Sequence, residues 1–490
     1  MSDVLKGEQQ MIKWGILGAG RIADRFAAAL ELEDNCTLYA ISGRNEEKLN
    51  AFKEKHPCEK IYLSHGEMLK DPDIDAVYVA VPHHMHREWS IKALNAKKPV
   101  LCEKPAALNE QEVIEITACA RANHVLFMEG LKSRTEPAYI QLKKELKEGL
   151  IGEITHTKTQ FCYAFPREYF GKTYLTQPEA GGGLLDVGVY CLSWPDDLFK
   201  GEMKVEKICG NVYNGLDTYL DAHLRYENGT SEIITGLDRP LPTDGWIEGT
   251  KGSVYMKNMH RPESYTVTLN GQEPYTVTVP YRNGNDFCSE IHHFVSLLGE
   301  GKNESDLVPF EASIRLARQA DTISKTFTEY SMEDLRMLEM QEKILQYRSF
   351  ENEDALILGN RIAELDKEYD MGVAIRIIRE SDGLIMFQYV TKDKREKNFE
   401  YAEMKRKASL ACGHSSAWAN IAMQVKESGY VNPEGALPAG GAFPIRTKDG
   451  ILQATVLVSG LHEGKDHELI LRALCEILEE DVPVPVKVIG

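Results

Sequence analysis

From Ile12 to about Pro105 short apolar runs alternate with longer amphipathic stretches, the pattern of βαβ units around a parallel sheet. The apolar runs Ile12–Leu17, Thr37–Ser42, Ala76–Ala80 and Pro99–Cys102 predict strands, and Arg21–Leu30, Glu46–Lys55 and Arg87–Ala96 predict the helices between them. After a further helix and strand at Glu110–Asn123 and Val125–Glu129 the chain becomes β-rich, with turn residues between Glu153–Phe161, Asp221–Tyr226, Ser253–Lys257 and Thr266–Val279. That pattern predicts a second, largely antiparallel open sheet. Helices are expected at Asn285–Leu298 and Glu311–Thr328, followed by a charged junction at Tyr330–Arg336. Beyond it the pattern predicts helices at Leu338–Tyr347, Asn352–Glu368, Lys405–Lys426 and Asp466–Glu480, with strands at Val373–Ile378 and Leu384–Tyr389.

A chain of 490 residues exceeds what one hydrophobic core usually serves. With 43% hydrophobic and 27% charged residues it has the composition of an ordinary soluble globular protein. A formal net charge of −18 repels phosphate backbones and anionic lipid, so neither nucleic acid nor a membrane is expected as a partner. The ten cysteines are dispersed without a CxxC pair, which argues against a zinc site or a disulfide framework, and no metal is expected. No leader or spanning segment is read from the sequence, and a reducing cytoplasm is the expected setting.

The first chemistry-bearing motif is Gly18-Ala19-Gly20-Arg21-Ile22-Ala23, which follows an apolar strand and opens a helix. Gly18 permits the tight turn, Gly20 lets backbone approach a pyrophosphate, and Ala23 lets the helix pack closely while its N-terminus faces the anion. The alternative is a plain βα turn. The second strand ends in Ser42-Gly43-Arg44-Asn45 without the carboxylate that would bind the ribose 2′-hydroxyl of NAD. Ser42 and Arg44 suit a 2′-phosphate, so NADP is preferred and NAD is the alternative; a solvated Arg44 is the bland reading.

Val100-Leu101-Cys102-Glu103-Lys104-Pro105 and Gly181-Gly182-Gly183-Leu184-Leu185-Asp186-Val187-Gly188-Val189-Tyr190 resemble the Gfo/Idh/MocA oxidoreductase family. Val81-Pro82 with His86, and Ile247-Glu248-Gly249-Thr250-Lys251-Gly252, are supporting marks, and the resemblance spans about residues 11 to 330. With Tyr190 at that position, the sequence looks most like the dihydrodiol dehydrogenase and glucose-fructose oxidoreductase branches. The resemblance implies an α/β fold: a Rossmann domain over 1–124, then a substrate and oligomerisation domain over 125–330 whose helices near 285–328 pack back on the first. It also implies that Lys104 and Tyr190 are catalytic, and it adds Pro82, His86, Glu103 and Lys104 to the cofactor contacts expected from Gly18, Gly20, Arg21, Ile22, Ser42 and Arg44. Oxidising a secondary alcohol needs a group to take the hydroxyl proton while hydride leaves, and a lysine cation beside a tyrosine lowers the tyrosine's pKa. Tyr190 is therefore read as general acid/base and Lys104 as its electrostatic partner. Asp186, four residues away and on the same face of a helix, is read as orienting a substrate hydroxyl. Each has a bland alternative: a surface lysine, a helix-capping aspartate, a packed core tyrosine. His83, His84 and His86 are read as a loop over the cofactor rather than as metal ligands.

Gly440-Gly441-Ala442-Phe443-Pro444-Ile445, Val456-Leu457-Val458-Ser459-Gly460-Leu461 and Asp466-His467 resemble the GlcG/HbpS-like (haem-degrading-like) domain, covering about 337–490. That implies an α+β domain with a habit of oligomerising; among His414, His462 and His467 no haem ligand is assigned. The expected function is NAD(P)-dependent hydride transfer to or from a small sugar, cyclitol or diol, in a homo-oligomer. The alternatives are a non-catalytic NAD(P)-binding redox sensor and a bifunctional protein whose last domain handles haem.

Overall fold

The computed structural model describes residues 11–213, 215–462, 464–482 and 487–489; the first ten residues, where no leader is expected, lie outside them. The chain divides into two compact units, one of Met1–Lys204 with Leu216–Ser324, the other of Val205–Gly215 with Lys325–Gly490.

The first unit opens with a six-stranded parallel sheet: β1 (Ile12–Leu17), β2 (Cys36–Ser42), β3 (Lys60–Tyr62), β4 (Ala76–Val79), β5 (Val100–Glu103) and β6 (Phe127–Gly130). Their order is β3-β2-β1-β4-β5-β6, so direction of travel reverses between β1 and β4. This is the order of a dinucleotide-binding sheet, whose ligand crevice lies outside the carboxyl ends at that switch point. The sixth strand pairs in parallel with β5, so the sheet runs on past residue 124 into the segment given to the second domain. Its near-continuous apolar run Val125–Met128 suits a strand covered on both faces. β3 is short and only half-buried, which explains why no apolar run announces it.

Helix α1 (Arg21–Leu30) buries Ala23, Phe26, Ala27, Ala29 and Leu30 against the sheet. Phe26 stacks on Tyr78 of β4 at 3.7 Å and meets Trp14 of β1 edge-on at 5.3 Å. The late helices Cys288–Gly299 and Phe310–Thr328 return to this layer: Phe294 reaches Trp14, and Phe310 and Ile314 join the core formed by β4, β5 and their helices. Such long-range burial, at roughly 25 cal/mol per Å² of apolar surface, ties both ends of the unit together.

In the same unit a second sheet has the order Tyr275–Thr278, Ser264–Leu269, Gly252–Met256, Gly245–Gly249, Ile154–Cys162, Gly229–Gly236, Leu216–Tyr226. All neighbours are antiparallel except Gly229–Gly236 with Ile154–Cys162, which makes the sheet mixed. Helix Val189–Leu198 lies on it, with the Trp194 ring so close to Gly245 that a Cβ there would sit 2.6 Å from it.

The second unit holds an antiparallel sheet in the order Ile385–Val390, Ala374–Arg379, Leu452–Ser459, Ala442–Arg446. Helices Asn352–Leu365 and Lys465–Leu478 bury one continuous core against it. The helix expected over Lys405–Lys426 is two, Glu396–Cys412 and Ser416–Ala422. Gly413 at φ +76 ends the first in the left-handed region, and Ser415 caps the second by accepting from the Trp418 N–H. Among the described residues no helix is long and apolar enough to cross a membrane.

One cluster inside the first unit bears on stability. Asp286 takes both Lys132 at 2.5 Å and Arg25 at 2.7 Å, while the fully buried carboxyls of Glu136 and Glu290 have no hydrogen-bond partner. Burial pushes Glu136 up to about 9 and Glu290 well above the ordinary carboxyl range. A carboxyl whose pKa is raised on folding favours the fold below its unfolded pKa, and that contribution is lost as pH rises toward the folded value. Glu136→Gln should therefore raise Tm at pH 8 by several degrees, at about 2–4 °C per kcal/mol for a unit of this size. The gain should shrink as pH falls toward 5, as a pH series of calorimetric melts will read.

Candidate active site

The carboxyl ends of β1 and β5 deliver the two sequence motifs to the same edge of the first sheet. After β1, Gly18 takes φ +102, and a Cβ there would sit 2.6 Å from the Ala80 carbonyl oxygen. Glycine is thus required twice, by conformation and by the approach of β4. Gly20 is different. Its backbone is extended and a Cβ there would meet nothing within 4 Å, so what this glycine preserves is open space before the first turn of α1. No side chain caps that turn, and Arg21 is exposed beside it. A tight turn, an uncapped helix N-terminus and a vacant approach are what a dinucleotide pyrophosphate needs. At the end of β2, Arg44 is exposed, whereas Ser42 is fully buried with its hydroxyl turned inward to His65 Nδ1 at 2.6 Å and the Ile16 carbonyl at 3.3 Å. Ser42 therefore holds the strand end, and of the pair only Arg44 is free to meet a 2′-phosphate.

After β5, Lys104 joins Pro105 through a cis peptide. Its Nζ donates to the Asp186 carbonyl oxygen at 2.5 Å and to Asp186 Oδ1 at 3.1 Å. Asp186 also accepts from the Tyr163 hydroxyl at 2.5 Å. Burial alone would raise the Asp186 carboxyl, but Lys104, His83 and the Tyr163 hydroxyl outweigh it and the pKa is lowered. Lys104 Nζ also lies 5.4 Å from the centre of the Tyr190 ring.

Asp186 and Tyr190 do not sit on one regular helix. Leu184–Gly188 is a π-turn that runs into the α-helix Val189–Leu198, and across this junction both side chains still meet Lys104. The glycines before it let backbone and carboxylate crowd in: Asp217 accepts from the Leu184 N–H at 2.7 Å, and a Cβ on Gly182 would lie 1.9 Å from Asp217 Oδ1. The far end of the helix is tied down by Asp196, which takes buried Arg134 at 2.8 Å and Arg315 at 2.9 Å.

The expectation that Lys104 lowers the Tyr190 pKa is reversed. Burial first, then Glu103, Glu290, Asp186 and Asp286, raise it well above the ordinary tyrosine value, and the Lys104 hydrogen bonds are spent on Asp186. His86 and Glu103 are likewise placed as supports rather than as open cofactor contacts. His86 is fully buried, with Nδ1 at 2.7 Å from the Pro105 carbonyl and Nε2 at 2.8 Å from that of Val81, so it braces the loop after β4 against the Lys104–Pro105 turn. Glu103 accepts from the Tyr78 hydroxyl and from the Lys104 N–H. Pro82 precedes the short turn His83–Met85 and is half-buried, and Ile22 is half-buried in the first turn of α1.

His260 and Tyr174 escaped sequence reasoning because no motif surrounds them, and His83, read as part of a loop over the cofactor, packs beside Tyr174. His260 lies 5.5 Å from the Tyr190 ring and 4.6 Å from Phe161, with Nδ1 buried and without a partner. Burial pulls its pKa down to about 2, so it is a neutral wall. His83 Nδ1 donates to the Ala180 carbonyl oxygen at 3.1 Å, and its ring touches Tyr174, which with Tyr163 frames the Asp186 side. Among the described residues no three His, Cys, Asp or Glu side chains converge as a metal ion would require.

Residues 12–131 match the family model described as an oxidoreductase family with an NAD-binding Rossmann fold, and residues 139–255 match the GFO/IDH/MocA C-terminal domain. Over 316 residues the chain is 32% identical to trans-1,2-dihydrobenzene-1,2-diol dehydrogenase of Mus musculus, an alignment covering 62% of this chain and 94% of that one. The chain belongs to the Gfo/Idh/MocA oxidoreductase family. Another relative is the scyllo-inositol 2-dehydrogenase (NADP(+)) of Bacillus subtilis, 31% identical over 63% of this chain and 94% of its own. Among solved structures the same fold occurs in an NADP-bound 3-ketoreductase of Actinomadura kijaniata (24% identity, TM-score 0.58, 64% of this chain and 97% of that one). It occurs again in an aldose-aldose oxidoreductase of Caulobacter crescentus (20% identity, TM-score 0.59, 64% and 97%). Outside the part shared with these Gfo/Idh/MocA relatives, residues 350–475 match the model described as haem degrading protein HbpS-like.

The two glycines of this Gfo/Idh/MocA oxidoreductase separate fold from binding. Gly20→Ala should leave Tm unchanged yet weaken NADPH binding at least about tenfold by calorimetric titration, because only the approach space is lost. Gly18→Ala should lower Tm as well, since its left-handed turn costs about 1–3 kcal/mol in a residue with a Cβ.

Proposed function

We propose that the first unit is an NADP-preferring dehydrogenase or reductase interconverting a secondary alcohol and its carbonyl on a small polyhydroxylated molecule: a sugar, a cyclitol or a diol. The observation that carries this reading is the ammonium of Lys104, bonded to Asp186 and set against the Tyr190 ring at the carboxyl edge of the dinucleotide-type sheet. The diol and inositol substrates in the relatives' names supply the substrate class.

When bound, the nicotinamide cofactor supplies or accepts the hydride. Gly18, Gly20 and the first turn of α1 would hold its pyrophosphate, and Arg44 a 2′-phosphate. The chain's own residues manage the proton and the charge. Tyr190 rests protonated, held so by burial and by the surrounding carboxylates, and donates its hydroxyl proton to the oxygen of a carbonyl substrate. Lys104 stabilises negative charge developing on that oxygen, and Asp186 fixes the ammonium in place while its carboxylate receives a neighbouring substrate hydroxyl. Tyr163, His260 and Phe161 form the wall against which a ring-shaped substrate packs. Ten cysteines dispersed without a CxxC pair suit the reducing cytoplasm, and assembly as a homo-oligomer belongs to the same reading.

The test is a screen of diols, inositols, aldoses and the matching ketones for NADP-linked turnover. Tyr190→Phe should cut kcat by at least about a hundredfold with little change in KM, the signature of a lost proton donor. Turnover that survives Tyr190→Phe would remove Tyr190 from this role. Arg44→Asp should raise the KM for NADPH far more than that for NADH, and an equal change in both would place the 2′-phosphate elsewhere.

A further inference from the structure

The second unit contains a cavity of about 480 Å³ that the oxidoreductase reading does not use. That volume falls within the ~300–1,000 Å³ typical of small-molecule sites. Helix Lys465–Leu478 contributes His467, Leu471 and Cys475, spaced four apart on one face; Ala417 and Ile421 come from Ser416–Ala422, and Leu338 from Met332–Ile344. The lining surface is mostly apolar, with the charged side chains Lys207, Glu468, Arg472, Glu476 and Asp481 also at it and His467 as its buried polar side chain.

His467 is 3% exposed. Its Nε2 lies 3.3 Å from Gln341 Oε1, while Nδ1 has no hydrogen-bond partner. Burial brings its pKa down to about 4, so the ring is neutral at physiological pH. A neutral imidazole carries one proton, and the contact with the Gln341 carbonyl oxygen places it on Nε2. Nδ1 is then a buried lone pair that lacks a donor, and such a group costs free energy unless a ligand or water satisfies it. The cations at the cavity already have partners: Lys207 is 3.5 Å from Glu468, and Arg472 is 2.7 Å from Glu368. Haem, named in the description of the matching family model, does not fit this donor set, because its two propionates would need cations that are not already paired.

We propose that this cavity binds a neutral, largely apolar molecule bearing a hydroxyl, a phenol or a ring alcohol, whose O–H donates to Nδ1 of His467. Apolar burial supplies most of the affinity and the single hydrogen bond supplies the selectivity.

Calorimetric titration of the full chain with three naphthalene probes tests it. 1-Naphthol should bind, 1-methoxynaphthalene, which has no proton to donate, should bind about tenfold more weakly, and the anion 1-naphthoate should not bind detectably. His467→Phe should bring 1-naphthol down to the level of 1-methoxynaphthalene. Leu471→Trp and Ala417→Phe, which fill the cavity from two different helices, should abolish 1-naphthol binding while leaving NADP-linked turnover intact. Equal binding of the naphthol and its methyl ether would overturn the hydroxyl assignment. Naphthol binding that survives both cavity-filling variants would place it elsewhere, the oxidoreductase site included. A red-shifted Soret band with haemin, lost in His467→Phe, would make the histidine a metal ligand instead and overturn the proposal. Since the binding readouts do not depend on substrate turnover in the first unit, their failure leaves the oxidoreductase reading untouched.

Discussion

The ammonium of Lys104 joins two pieces of the molecule that the sequence keeps eighty-two residues apart. It leaves the carboxyl end of β5 and bonds both the backbone and the side chain of Asp186, so the edge of the first sheet and the turn before helix Val189–Leu198 are fixed to each other. Much of the rest of the site serves that contact. His86 braces the turn that carries Lys104, Asp217 holds the backbone just ahead of Asp186, and Asp196, between two arginines, pins the far end of the helix that carries Tyr190. A half-buried ion pair of this kind contributes little net stability on its own account, because desolvation offsets the attraction. Its value lies in geometry: with these supports the charge has one place to be.

Burial and the acidic groups packed about Tyr190 set the chemical character of the site. Glu103, Glu290, Asp186 and Asp286 all oppose ionisation of the phenol, while the nearest ammonium is already engaged. Proximity of a lysine to a tyrosine is therefore not enough to make a phenolate; the sum of the surrounding field decides. The same field keeps the phenol protonated at rest, and proton transfer to an oxygen that is becoming an alkoxide is then driven by the basicity of that oxygen.

The elements legible in the sequence were those whose residues obey a local rule. Gly18 is forced by a left-handed turn and a neighbouring strand, the βαβ rhythm by alternating burial, and Lys104 and Tyr190 by family motifs. What was hidden depends on tertiary surroundings. Ser42 looks like a phosphate ligand from its place at a strand end, but the direction of its hydroxyl is decided by His65, twenty-three residues on. The split in Lys405–Lys426 was foreshadowed by Gly413, whose left-handed backbone ends the first helix, but a single glycine in a sequence does not declare its φ. Glu136, Glu290 and His260 have no periodicity or spacing to mark them, since their significance is the absence of a partner, which only the folded arrangement defines.

The π-turn at Leu184–Gly188 has an evolutionary reading. One such turn is what an α-helix shows after accepting a single extra residue, and each residue of helix advances the side-chain direction by roughly 100°. Removing that residue would restore regular winding but swing Asp186 about a quarter-turn away from Lys104 relative to Tyr190. The length of this stretch is thus part of the site's geometry, and a single-codon deletion there would cost the Lys104–Asp186 contact even though no site residue is changed.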